Sequence, residues 1–269
     1  PTSNLTWLNG MLERGWIVTA TDYSGLGTAG PKRYLVGQDE ARDVLNSVRA
    51  ARGFEANAGS RFAVWGLSQG GHSTLWTANT AKAYTPELEL VAAAAAAPAA
   101  ELPTLFTEQY QKAVSWVIGP YVGASWPGVY VGLPREGTIS NTGQRAGPKI
   151  ADKCVADAAI AGLLRNKLHQ KYFVSNPMTD PTWQGDGESS DAFLLQSHPV
   201  PEPVAHEVVV RRMGAADAVL PGEGPGRQPP QGHHRAPRRP VREPLRERPE
   251  AFVVHPHPPA RSDPTGAPP

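Results

Sequence analysis

The chain has 269 residues, of which 40% are hydrophobic and 19% charged, with a formal net charge of +1. That length suits one large α/β domain or two small ones, and so small a net charge gives the whole molecule no electrostatic case for binding nucleic acid. No run of 18 apolar residues occurs, and Leu90–Ala100 is too short to span a bilayer, so no transmembrane segment is expected.

The first residues, Pro1-Thr2-Ser3-Asn4, form neither a basic nor an apolar leader, and no initiator Met precedes them. An incomplete or processed start is the expectation. Thr6–Arg14 reads as a helix with Leu8, Met11 and Leu12 on one face and Gly15 as its C-cap. Trp16–Thr21, short and β-branched, reads as a buried strand that ends in the glycine-punctuated loop Asp22–Gly27. Gln38–Ala51 is expected to be helical, with Ala41, Val44, Leu45 and Val48 at helical spacing and Gly53 closing it. Phe62–Trp65 reads as a second buried strand, followed by a helix over roughly His72–Ala83. Leu88–Ala97 reads as a third strand, although its alanines also tolerate helix. Strand, helix, strand, helix, strand with short links predicts a mostly parallel sheet flanked by helices.

After Pro98 the pattern turns helical, with Leu105–Val117 and Lys149–Lys171 carrying the signal, and Gly119–Pro148 between them rich in Gly, Pro and aromatics. Such an insertion fits either a lid over a site or helices that merely cover the sheet, and both readings stay open. The boundaries read as a core over 1–100, a helical cap over 101–185, a partial return to the core over 186–220 and a tail over 221–269. Residues 221–250 alternate Pro, Gly, Arg and Glu without a periodic apolar face, a pattern that cannot offset its ordering entropy. From Pro201 onward the chain holds 16 of its 28 prolines and 10 arginines, but no Lys, Trp or Tyr. That is what a shifted reading frame in GC-rich DNA would yield.

Gly66-Leu67-Ser68-Gln69-Gly70 fits the pattern G-x-S-x-G. A serine at a tight strand-to-helix turn is held in a strained backbone that only small neighbours permit, and its hydroxyl projects above the sheet toward free N–H groups. The preceding strand and following helix are the setting that makes Ser68 a candidate nucleophile rather than a structural serine. A phosphate-binding loop is disfavoured, because the Lys-Ser/Thr of such a loop is missing and no G-x-G-x-x-G occurs. An oxyanion hole would take the backbone N–H of Gln69, and Asp22, at the end of an earlier strand, is placed to supply a second donor. Asp22 read alone is an ordinary turn aspartate. His72, one turn beyond Ser68, reads as a helix-surface residue, and His169 as part of a solvated helical face beside Lys167 and Lys171. Trp116, Tyr121, Trp126 and Tyr130 could line an acyl pocket, but more often such aromatics pack. No Cys/His/Asp set has metal-ligand spacing, and no metal or cofactor is expected.

Together, Gly15–Gly27, Phe62–Gly71, the alanine run up to Pro98, the helices after it and Cys154 resemble the secretory lipase family of extracellular α/β-hydrolases. The resemblance covers about residues 5–200. It implies an α/β-hydrolase fold with a helical cap, hydrolysis of triacylglycerols and simpler acyl esters, export, and common disulfides. It implies oxyanion donors at Asp22 and Gln69. The triad order should be Ser, Asp, His, and Met213–Pro221 resembles the family's acid-bearing segment, which implies Asp217 as the acid with Val208–Val210 as its strand. No histidine has a persuasive context among His206, His233, His234, His255 and His257, so none is assigned as base. The expected substrate is an acyl ester or triacylglycerol, with contact at a lipid interface. A non-catalytic or truncated lipid-binding relative stays open, as does a serine peptidase or acyltransferase on the same scaffold. Sequencing the gene is expected to find a single-base insertion or deletion near the codon for Val200; a clean frame there disproves the shift.

Overall fold

The computed structural model describes residues 8–54, 58–130 and 137–180, together with the backbone of two short strands at 208–211 and 251–254. Helix α1 (Leu8–Leu12) is followed by a turn that closes at Gly15, whose φ of 77° is the left-handed conformation that glycine adopts without a side-chain penalty. The N–H of Trp16 donates back to Met11 O at 3.2 Å, satisfying a terminal helix carbonyl, and the chain enters β1 (Ile17–Thr19).

Helix α2 (Gly37–Phe54) carries the predicted stripe, and Val44, Leu45 and Val48 are fully buried. It runs three residues past the predicted end at Ala51, because Gly53 keeps a helical backbone instead of turning left-handed. Strand β2 (Arg61–Leu67) passes directly into α3 (Gln69–Tyr84), which starts three residues earlier than its periodicity suggested. The alanine run resolves as strand β3 (Glu89–Ala96). Its neighbours decide this: β3 pairs in parallel with β2 on one side and with β4 (Val208–Arg211) on the other, which overrides alanine's helical preference. The last strand, β5 (Ala251–Val254), lies between β1 and β2 and pairs in parallel with both. The sheet order is β1-β5-β2-β3-β4, and every pairing among these strands is parallel. All their carboxyl ends therefore share one edge.

Two apolar cores result. One packs Val44, Leu45 and Val48 of α2 and Ala78 and Ala81 of α3 onto Phe62, Val64 and Ala93 of the sheet. The other lies among helices that follow β3. The predicted helix over 105–117 is in fact two, α4 (Leu102–Gln109) and α5 (Ser115–Ser125). Between them Lys112 N donates to Gln109 O and the Ser115 hydroxyl donates to Lys112 O, forming turns that break the run. The segment over 149–171 likewise divides into α6 (Asn141–Ala151) and α7 (Val155–Lys167). Ser140 caps α6 by accepting the Gly143 N–H at 2.9 Å, so that helix begins inside the Gly-, Pro- and aromatic-rich stretch. Trp116, Trp126, Phe106, Ile150 and Phe173 fill this second core, which also takes in Leu35 and Val36 from the loop before α2. His169 falls beyond the end of α7 with a φ of 53°, exposed but not within a helix as predicted.

Phe62 is fully buried whereas Phe54 is 87% exposed. In urea denaturation Phe62→Ala is expected to cost about 3–5 kcal/mol, and Phe54→Ala less than about 0.5 kcal/mol.

Candidate active site

Ser68 occupies the junction of β2 and α3 with φ 57° and ψ −113°. A non-glycine residue there costs on the order of 1–3 kcal/mol and persists only when its surroundings over-determine it. They do so here through three backbone bonds. Ser68 N donates to Ala96 O at 3.0 Å, while Ser68 O accepts from His72 N at 3.0 Å and Ala99 N at 3.2 Å. The turn is also closed by contact: a Cβ on Gly66 would lie 2.1 Å from Gly70 O, and one on Gly71 would lie 2.9 Å from Ala96 O. Ser68 itself is exposed and its side chain does not cap α3. Its hydroxyl thus stands at the sheet's carboxyl edge beside the N-terminus of a 16-residue helix, where backbone N–H groups favour developing negative charge.

Asp22 follows β1 at the same edge. Thr19 and Val64 are both in register with Val253, so Asp22 and Ser68 lie three and four residues beyond the same level of the sheet. The two strands are separated by β5, or about 10 Å across two strand spacings. Asp22 is exposed, and the loop behind it is pinned to α2. Ser24 donates to Asp43 through its N–H at 2.8 Å and its hydroxyl at 3.0 Å. Burial raises the Asp43 carboxyl pKa, and the Ser24 hydrogen bonds partly offset this. Gly25, with φ 78°, brings the chain back so closely that a Cβ would meet Pro31 O at 2.3 Å. Tyr23 is buried, its hydroxyl faces Ser73, and burial together with the nearby Glu40 charge pushes its pKa well up.

Gln69 is buried, and its side-chain amide donates to Glu40 Oε1 at 2.8 Å. The same oxygen accepts the Leu35 N–H at 2.9 Å, and Glu40 Oε2 lies 2.8 Å from His72 Nδ1. Trp76 Nε1 donates to His72 Nε2 at 3.1 Å. Since an indole N–H can only donate, Nε2 is the acceptor and Nδ1 carries the proton toward Glu40. His72 is fully buried, which corrects its reading as a helix-surface residue; every residue of α3 from Gln69 to Ala78 is buried, so the helix has no outer face at its first turns. Glu40 was missed as well. Its signal was its position: four residues before Val44 and eight before Val48, an acid set directly on the buried stripe of α2.

Asp217 and the five tail histidines lie outside the described residues, so Ser68, Gln69 and Asp22 are the site residues that the fold places on one edge. Trp116, Tyr121 and Trp126 are held by hydrogen bonds to backbone carbonyls. Trp116 donates to Gln170 O, Trp126 to Tyr34 O and Tyr121 to Lys153 O, and both tryptophans are 1% exposed. Among the described residues no group of three His, Cys, Asp or Glu is placed to hold a metal, and no helix is long and apolar enough to cross a membrane.

The secretory lipase family model matches residues 2–176, more than half the chain. The chain belongs to the secretory lipase family. It is 33% identical over 124 residues to Lipase 7 of Candida albicans, covering 45% of this chain and 26% of that protein. It is 31% identical over 83 residues to Lipase A of Moesziomyces aphidis, covering 30% of this chain and 17% of that one. The chain thus spans about a quarter or less of the length of these relatives. Among solved structures, the rice cell wall degrading esterase LipA from Xanthomonas oryzae superposes with a TM-score of 0.52 at 18% identity. That match covers 65% of this chain and half of that one. The fold is that of the α/β-hydrolases, with its parallel sheet and flanking helices.

The steric closure at Gly66 makes a direct prediction. Gly66→Ala is expected to lower unfolding stability by roughly 3 kcal/mol or more, because the blocking atoms are backbone and cannot rotate away. Thermal or urea denaturation checks it.

Proposed function

We propose that this chain is a carboxylic-ester hydrolase acting on lipid esters, triacylglycerols among them, with Ser68 as the nucleophile. The observation that carries the reading is the exposed Ser68 held at φ 57° on the turn between a parallel strand and a helix N-terminus. Membership of the secretory lipase family supplies the substrate class and the expectation of export.

In this reading the Ser68 hydroxyl oxygen attacks the acyl carbon and its proton passes to a histidine base. The negative charge on the former carbonyl oxygen is held by the backbone N–H groups of Gln69 and Asp22. Collapse of the tetrahedral intermediate expels the alcohol, protonated by the same histidine, and leaves Ser68 acylated. Water then attacks the ester, and the carboxylic acid departs. Asp217 would orient the base. No step calls for a metal or an organic cofactor. Helices α4–α7 would act as a cap over the carboxyl edge, since their core already takes in Leu35 and Val36 of the loop behind the Asp22 segment.

One observation favours a second reading, a lipid-binding relative without turnover. Of the two histidines among the described residues, His72 is committed to Glu40 and Trp76, and His169 sits exposed beyond α7. The base must therefore come from outside the described residues. Treatment of the folded chain with a fluorophosphonate probe is expected to modify Ser68, located by peptide mass spectrometry, with all labelling lost in Ser68→Ala. An unmodified Ser68 disproves the nucleophile. Fatty-acyl binding without hydrolysis of p-nitrophenyl esters supports the second reading instead.

A further inference from the structure

We propose that Glu40 is a positioning residue for the oxyanion hole, setting the Gln69 N–H through the Gln69 side chain and through His72. The inference rests on Ser68 being the nucleophile.

The N–H in question belongs to the peptide plane between Ser68 and Gln69, so whatever fixes that plane fixes the donor's direction. Its carbonyl end, Ser68 O, is held by the N–H of His72 and the N–H of Ala99. Its other end is the Gln69 backbone, whose side chain is buried and anchored to Glu40 Oε1 at 2.8 Å. His72 is anchored in turn by Nδ1 to Glu40 Oε2, also at 2.8 Å. One carboxylate therefore grips two of the three residues that hold the plane, Gln69 by Oε1 and His72 by Oε2, with Ala99 as the third.

The reach of this group extends to the other proposed donor. Glu40 Oε1 also accepts the Leu35 N–H, at a residue with φ 53°, in the loop that links the Asp22 segment to α2. Tyr23, next to Asp22, is buried close enough to Glu40 for that charge to raise its hydroxyl's pKa. Because Glu40, His72 and Gln69 are all buried, these bonds are not weakened by competing water, and loss of one leaves a partner unsatisfied. Glu40 itself does not contact the oxyanion in this reading; it acts only through its neighbours.

Helix packing alone does not account for the Gln69 contact. A merely space-filling Glu40 would be satisfied by His72 and Leu35, and Gln69 could point its amide elsewhere. The test therefore centres on Gln69→Ala, which leaves the Glu40–His72 and Glu40–Leu35 bonds in place. With a fluorophosphonate probe, Gln69→Ala is expected to slow the maximal labelling rate of Ser68 roughly 10-fold while the half-saturating probe concentration stays unchanged. Glu40→Gln, which sets an amide N–H against the His72 Nδ1–H, is expected to slow labelling further, and the double variant is expected to fall short of the product of the two effects. Val48→Ala, a core change away from the elbow, serves as the stability-matched control and is expected to label at the wild-type rate. Wild-type labelling speed in Gln69→Ala overturns the proposal, as does equal slowing in Val48→Ala. A wild-type chain that does not label at all removes the nucleophile assignment and this inference with it, whereas labelled wild type with an unaffected Gln69→Ala removes this inference alone. Should Glu40→Gln fail to fold, Gln69→Ala and Val48→Ala decide the matter.

Discussion

The backbone at Ser68 is bent into a region that side chains disfavour, and much of the surrounding structure serves to hold it there. Three conditions are met together. The residues two before and two after must approach so closely that a Cβ on Gly66 would strike Gly70 O. The Ser68 carbonyl must find donors, which His72 and Ala99 supply. Its N–H must find an acceptor, which is Ala96 O at the end of β3. The last condition brings the start of α3 directly against the end of β3: a Cβ on Gly71 would lie 2.9 Å from Ala96 O and from Pro98 Cα.

A buried carboxylate is costly unless its lone pairs are occupied. Glu40 meets that requirement with three donors from two other segments: Leu35 in the loop before α2, and Gln69 and His72 in the first turn of α3. Placed between the two apolar cores, it joins the Leu35 loop, which packs with α4–α7, to the helix that begins at Gln69. Replacement by a leucine would fill the space, but the Leu35 N–H, the Gln69 amide and the His72 ring would each lose a partner in a water-poor interior. A polar network in this position specifies one arrangement of three segments, whereas apolar packing alone would tolerate several.

Legibility in the sequence followed the range of the interactions involved. The elbow was readable because its requirements are local: small residues at fixed offsets between an apolar strand and a helix. Helix α2 was readable from its stripe, and Gly15 from its position just past a helix. The break between α4 and α5 and the start of α6 were not, since they depend on side chain-to-backbone bonds: the Ser115 hydroxyl donates to Lys112 O, and the Ser140 hydroxyl accepts the Gly143 N–H. The role of His72 was misread because nearest-neighbour periodicity does not reveal that α3 is enclosed on several sides. Glu40 sat in plain view on an apolar face, and its significance required a partner 29 to 32 residues away. Asp217 rested on a resemblance to a strand-end segment; β4 does form at Val208–Arg211, while the aspartate itself falls outside the described residues.

The position of β5 bears on how the two sides of the site are kept in register. Asp22 and Ser68 leave strands that do not touch; β5, from far along the chain, separates β1 from β2. Setting their relative height by sheet pairing alone would require closing a long loop, which costs entropy and forms late. The path through α2 is shorter. Ser24 bonds to Asp43 on one turn of that helix, and Glu40 on the preceding turn holds Gln69, so the Asp22 loop and the elbow are referred to one rigid element. Helix α2 thus fixes the spacing of the two proposed oxyanion donors by contacts only tens of residues apart. The geometry around Ser68 consequently depends more on the Glu40 contacts between α2 and α3 than on the strand between β1 and β2.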